Sequence, residues 1–86
     1  MPKFMSAHSV PAGAVKREQV DQLADAAVHD GNVKPYRSFM NLAEGKMVCV
    51  MKAPTKEALS QWFTKMQLPC DYIVPVELEG DHGQVS

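Results

Sequence analysis

The segment Lys46–Lys52 constrains the fold of this chain more than any other seven residues. Five apolar side chains, Met47 to Met51, follow one another between the two lysines. Because successive side chains of a strand point to opposite faces, a strand here is apolar on both faces. A strand with one face in water would alternate apolar and polar residues. A chain of 86 residues can cover one face of a sheet with its own helices, so the second face needs a partner chain or a ligand.

Length and composition favour one small domain. The 86 residues leave no room for a second core. A chain this short buries roughly 60–65% of the surface that its unfolded form exposes, and oligomerisation is a common way to gain stability. The net charge is −1, with acids and bases interspersed, which disfavours nucleic acid or an anionic membrane surface as a partner.

Three further features bear on the cellular location. The sequence contains no run of 18 apolar residues, so we expect no membrane span. The first residues lack the apolar core of a signal peptide and are interpreted as the first strand. Cys49 and Cys70 are too few and too far apart for a disulfide framework, so free thiols in a reducing compartment are expected. These observations predict a cytoplasmic protein.

Hydrophobic periodicity predicts four strands and two helices in the order β-α-β-β-α-β. The predicted strands span residues 3–8, 34–40, 46–52 and 71–78, and the predicted helices span residues 15–30 and 56–67. This order matches a ferredoxin-like α+β fold, with an antiparallel sheet of strand order 4-1-3-2 and both helices on one face. Pro35 and Pro75 fall in the second and fourth strands, which are the edges in that order. Proline donates no ladder hydrogen bond and is confined to such positions.

The predicted domain comprises residues 1–78, and the polar residues 79–86 are expected to form a flexible tail. Thr55 is the expected N-cap of the second helix. The helices are expected to pack on the sheet through Leu23, Val28, Leu59, Trp62 and Phe63. Either the Met47, Cys49 and Met51 set or the Val48 and Val50 set faces away from them. Since both sets are apolar, a homodimer through the helix-free sheet face is predicted, and a monomer covered by its own loops or tail is the alternative.

Cys49 and His8 are the residues with the most distinctive chemistry. A thiolate is a nucleophile and a soft metal ligand, although the centre of an apolar strand favours a small buried hydrophobe. His8 ends the first strand, where the predicted sheet order brings it near Cys70 and Asp71. His, Cys and Asp together could bind a divalent transition metal. No pair has the close spacing of a structural zinc site, so a hydrogen-bonded histidine is the alternative.

Other residues point to ligand binding rather than catalysis. Tyr36 and Arg37 on an edge strand could line a site for an anionic ligand, although edge arginines are usually solvated or paired. The methionines are most simply core residues, and their thioethers would suit an apolar ligand or a soft metal if they lined a cavity. The sequence contains no phosphate-binding glycine loop, no nucleophile elbow and no His-Glu metalloprotease motif, so a non-enzymatic protein is favoured.

Several motifs occur together in order and resemble those of a small bacterial family of unknown function whose best-described member binds nickel. They are Phe4-Met5-x-x-His8, Arg37-Ser38, Gly45-Lys46-x-x-Cys49, Ala53-Pro54-Thr55-x-Glu57-Ala58 and Leu68-Pro69-x-Asp71-x-Ile73-x-x-Val76. The resemblance covers residues 3–78 and implies a ferredoxin-like subunit in a dimeric α/β barrel, with nickel bound. His8 and Cys49 match positions where the family commonly has these residues. Ser9 and Val74 stand where the nickel-binding member has additional histidines.

Three functional hypotheses follow. The first is a dimeric non-enzymatic protein that binds a divalent transition metal such as nickel through His8 and Cys49. The second is a small-molecule sensor or an oxygenase-like or cyclase-like enzyme of the dimeric α/β-barrel class, with Tyr36, Arg37, Ser6 and the methionines lining a site between helix-free sheet faces. The third is a structural or interaction domain in which the apolar face serves association alone.

Overall fold

The computed structural model describes residues 1–86 and confirms the ferredoxin-like α+β arrangement. The main elements are β1 (Lys3–Ser9), α1 (Arg17–His29), β2 (Lys34–Asn41), β3 (Lys46–Lys52), α2 (Lys56–Lys65) and β4 (Tyr72–Pro75). The four strands form one antiparallel sheet in the order β2-β3-β1-β4. This is the predicted 4-1-3-2 order, so β3 is central and is paired on both sides.

The two prolines occupy edge strands, as predicted. Pro35 lies in β2 and Pro75 ends β4. The prediction that the fourth strand continues to residue 78 is wrong. Pro75 pairs with Phe4, and the Val76 N–H donates to the Lys3 carbonyl, so the chain then passes beyond the start of β1 and has no strand left to pair with.

The segment predicted as a flexible polar tail contains a small hairpin. β5 (Gly80–Asp81) pairs with β6 (Gln84–Val85), and both strands are exposed. The Glu79 carboxylate lies 2.6 Å from the Lys3 ammonium, which joins the start of this segment to β1. The hairpin was not expected from the sequence, whereas the domain boundary at residue 78 and the flexibility of the tail stay predictions.

The two helices cover the sheet unequally. α2 begins at the predicted cap, since the Thr55 Oγ1 accepts a hydrogen bond from the Ala58 N–H. The same helix buries Leu59, Trp62 and Phe63. α1 buries only Ala27, and the prediction that Val28 packs on the sheet is wrong because its side chain is 64% exposed. Successive helical residues are about 100° apart, so only one of these neighbours can face the sheet. Neither helix is long and apolar enough to cross a bilayer.

The pairing register assigns the two apolar sets of β3 to opposite faces. Met47 and Met51 are buried beneath the helices, with Cys49 partly buried between them. Val48 is 45% exposed on the opposite side. We call this helix-free side of the sheet the open face. The register and the alternation of side chains place on it the apolar residues Met5, Ala7, Phe39, Val48, Val50, Tyr72 and Val74. Arg37 and the strand-end lysines Lys3, Lys46 and Lys52 lie on the same side, around the apolar residues.

Candidate functional site

His8 is a buried residue on the helix-covered face of β1. Its side chain is 1% exposed and lies beside Ser6, which is wholly buried and points to the same face. The imidazole meets the Phe63 ring edge to face, with centroids 4.5 Å apart. A histidine so deeply enclosed needs a hydrogen-bond partner for each ring nitrogen.

Both ring nitrogens of His8 have a partner. Nδ1 lies 2.8 Å from the Pro69 carbonyl oxygen, which can only accept, so Nδ1 carries the proton. Nε2 lies 2.9 Å from the Ser6 Oγ and accepts from that hydroxyl. Burial lowers the pKa of His8, against a smaller upward effect from the Pro69 hydrogen bond and the Asp71 charge. The neutral tautomer with a lone pair on Nε2 is therefore the stable form.

Cys49 lies on the same face, one strand away. It pairs in register with Ser6, while His8 pairs with Met47. His8 and Cys49 are therefore diagonal neighbours on an antiparallel pair, about 7–8 Å apart and within reach of long side chains. Burial is the main cause that raises the pKa of the Cys49 thiol to about 11, with a further contribution from Cys70. Without a metal the thiol is protonated at neutral pH.

This pair meets part of what a metal site requires. Metal-binding histidines usually donate their other ring N–H to a carbonyl or carboxylate, which is the arrangement that Pro69 provides for Nδ1. The Nε2 lone pair, which here accepts from the Ser6 hydroxyl, and the Cys49 sulfur are donors that suit a transition metal. No group of three or more His, Cys, Asp or Glu side chains could hold a metal ion. His8 and Cys49 thus fit two positions of a coordination shell and no more.

Cys70 and Asp71 lie near this pair but are engaged elsewhere. The sequence predicts this proximity, and the electrostatic influence of Asp71 on His8 and of Cys70 on Cys49 agrees with it. Both side chains are exposed. The Cys70 thiol donates to the Tyr72 carbonyl at 3.2 Å, and the Asp71 carboxylate accepts from the Ser9 hydroxyl at 2.7 Å.

A cavity of about 330 Å³ lies between α1, α2 and the β2–β3 side of the sheet. Of its sixteen lining residues, thirteen are apolar. From α1 come Val20, Leu23, Ala24 and Ala27, and from β3 come Met47, Cys49, Val50 and Met51. Pro35, Met40, Trp62, Phe63 and Leu68 complete the apolar lining. Cys49 therefore borders both the His8 environment and this cavity.

Tyr36 and Arg37 line the edge of the same cavity, together with Ser38. Tyr36 lies at the register shift between Pro35 and Arg37, a β-bulge in the edge strand. The Lys3 ammonium sits 4.0 Å from the centre of its ring, in a cation–π contact. That these two residues bind a ligand stays a prediction. The prediction that Ser6 lines a site with Tyr36 and Arg37 on the helix-free side of the sheet is wrong, because Ser6 is buried under the helices.

Sequence reasoning missed two partners of His8. Ser6 could have been found from the pattern Phe4-x-Ser6-x-His8, which places a hydroxyl beside the imidazole on one face of a strand. Pro69 is 61 residues away and contributes a backbone carbonyl, for which the sequence carries no signal.

The antiparallel sheet and its two helices define a ferredoxin-like α+β domain, here with a candidate His–Cys donor pair beneath the helices. Residues 4–76 match the family described as "Nickel responsive protein SCO4226-like". Because the match covers most of the chain, the protein belongs to this family. The family resemblance inferred from the sequence motifs is thereby confirmed.

A solved structure supports the same assignment. The chain is similar to SCO4226 from Streptomyces coelicolor A3(2), known from a crystal structure, with 25% sequence identity. The similarity covers 91% of this chain and 99% of the other, with a TM-score of 0.75. No curated protein matches the chain.

Proposed function

We propose that the protein is a non-enzymatic homodimer that binds nickel or another divalent transition metal, with His8 and Cys49 as donors. The observation that carries the metal proposal is the hydrogen bond from the His8 Nδ1 to the Pro69 carbonyl. This bond leaves Nε2 as the lone-pair nitrogen, on a residue that is the diagonal cross-strand neighbour of Cys49. Membership of a nickel-responsive family supports the choice of metal.

The donor pair predicts modest affinity and a strong dependence on pH. With two protein donors, water would fill the remaining coordination positions, and the Ser6 hydroxyl would have to turn away from Nε2. The Cys49 thiol, whose pKa is raised to about 11, must lose its proton to coordinate. Binding would therefore release a proton, and the apparent affinity would rise up to about tenfold per pH unit below that pKa.

Calorimetric titration of reduced, tag-free protein with nickel tests the metal proposal. We expect micromolar binding, with a heat that varies with the ionisation enthalpy of the buffer because a proton is released. His8→Ala and Cys49→Ser should each weaken binding at least about tenfold. The exposed His29→Ala is the matched control and should bind as the wild type does. Absence of binding at micromolar nickel, or unchanged binding in the folded Cys49→Ser variant, would contradict the proposal.

The dimer is supported by the open face. Phe39 of the edge strand β2 and Val48 of the central strand β3 form a cross-strand pair on it, and they are 67% and 45% exposed. Together with Met5 and Tyr72 they put one exposed apolar side chain on each of the four strands. Apolar patches of this kind mark interaction sites. A second copy of the chain offers the same apolar face and could cover both surfaces at once.

Light scattering at micromolar concentrations tests the dimer. We expect twice the 9.5 kDa mass of the chain for the wild type. Val48→Lys should dissociate the dimer by placing a charge in an apolar interface. Val28→Lys makes the same change at another exposed valine, on α1, and should leave the dimer intact. A monomeric wild type, or a Val48→Lys variant that remains dimeric, would contradict the proposed dimer through the open face.

A further inference from the structure

We infer that the cavity between α1 and the β2–β3 side of the sheet is a binding site for a small, neutral, largely apolar molecule of bicyclic aromatic size. The site lies on the helix-covered face, where Met47, Trp62 and Phe63 line it. It meets the proposed dimer interface only at Val50 and Arg37, whose side chains the register places on the open face. It shares Cys49 with the proposed metal site but does not include His8, so it is tested on the metal-free protein.

The size of the cavity sets the size of the ligand. Its volume is about 330 Å³, within the range of small-molecule sites. An apolar cavity of ~150 Å³ holds one benzene molecule. The cavity is therefore about twice as large, which suits two fused rings.

The lining sets the chemistry of the ligand. Met40, Met47 and Met51 contribute flexible thioethers that adapt to an aromatic surface, and Trp62 and Phe63 contribute rings. No aspartate or glutamate lines the cavity, so a cationic ligand would meet no counter-charge there. Arg37 is the one charged lining residue, and its pairing with Val50 directs its side chain to the open face, so an anionic ligand would meet no counter-charge inside the cavity. The polar lining residues are the three consecutive members of one edge strand, Tyr36–Ser38. A ligand with one neutral polar group directed at β2 matches this distribution.

Small residues of α1 leave the space open. Ala24 and Ala27 face the cavity, and Ala27 is the one residue that the helix buries. α2, in contrast, fills its part of the core with a leucine and two aromatic rings. Larger side chains on α1 would close the cavity, which gives a direct test by substitution.

The two free cysteines provide a readout with an internal control. Cys49 lines the cavity, whereas Cys70 is exposed and does not. Trypsin places them in different peptides, because cleavage after Lys46 and Lys52 separates Cys49 from the C-terminal peptide that follows Lys65. Alkylation by iodoacetamide, followed by mass spectrometry with chelator present, measures both rates in one sample.

Indole is the probe, and purine is a polar control of the same shape. At an indole concentration about five times its dissociation constant, alkylation of Cys49 should slow about sixfold, with Cys70 unaffected. Indole should also raise the melting temperature, and purine should do neither. Ala24→Phe should abolish the protection, and Ala43→Phe, the same change in an exposed loop, should retain it.

Three outcomes would overturn the inference. The first is equal alkylation of Cys49 with and without millimolar indole in the wild type, a measurement that needs no variant to fold. The second is equal protection by purine. The third is protection that persists in a folded Ala24→Phe variant.

Discussion

The Nδ1 of His8 lies 2.8 Å from the carbonyl oxygen of Pro69, so one hydrogen bond joins the end of β1 to the segment that leads into β4. The Ser6 hydroxyl on Nε2 completes the set of partners. No buried side-chain nitrogen or oxygen in the protein lacks a partner. The imidazole is therefore an organising element of the core as well as a candidate metal donor.

His8→Ala should destabilise the protein by about 2–4 kcal/mol, measured by urea unfolding of the metal-free form. The substitution removes the contact with Phe63 and leaves the Ser6 hydroxyl and the Pro69 carbonyl without their partner. His29→Ala, on the exposed face of α1, should change stability by less than about 0.5 kcal/mol. A loss below about 1 kcal/mol in His8→Ala would show that the network contributes little.

The stability should fall as the pH drops below about 6.5, the ordinary pKa of histidine in an unfolded chain. Burial lowers the pKa of His8 in the folded state, so between the two values the unfolded state binds more protons. Stability then rises with pH in this window and is fully present above it. Urea unfolding from pH 5 to 8 measures the slope. His8→Gln should reduce the slope, and an unchanged slope in this variant would refute the assignment.

Cys49 should produce a loss of stability in alkaline solution. Its pKa is raised from 9.0 to about 11 in the folded state, so between these values the folded protein holds a proton that the unfolded chain has lost. Stability should therefore decline from about pH 9 to 11, by at most about 3 kcal/mol. Cys49→Ala should remove this part of the decline relative to the wild type. Val50→Ala, which truncates a neighbouring residue that does not titrate, should keep it.

Gly45→Ala should be severely destabilising. Gly45 has a φ of +71°, and an added Cβ would lie 2.1 Å from the Val10 carbonyl oxygen. Positive φ disfavours alanine, and the contact would force β3 away from the end of β1, so we expect a loss of about 3 kcal/mol or more. Gly13 has a φ of +70° with nothing within 4 Å of the added Cβ, so Gly13→Ala isolates the conformational cost. That cost should be about 1 kcal/mol by thermal unfolding. Equal losses of stability in the two variants would show that the contact with the Val10 carbonyl oxygen is not the cause.

Much of the fold could be predicted from the sequence, because periodicity and proline placement are local signals. The order of the elements predicted a central third strand, and Pro35 and Pro75 indicated the edges. The end of β4 was predicted too late, since the point where a strand ends depends on how far its neighbour extends. Val28 was assigned to the wrong side of α1, because several apolar residues share that helix and only packing selects among them.

The sequence by itself determined the order of the elements from β1 to β4, the strand order of the main sheet and the presence of His8 and Cys49 in neighbouring strands. Only the tertiary structure decided which face of β3 the helices cover, because the faces of a doubly apolar strand are equivalent until packing distinguishes them. It also decided that Pro69 orients His8 and that α1 leaves a cavity beside Cys49. Both depend on contacts between residues distant in the chain, and local sequence patterns do not encode such distances.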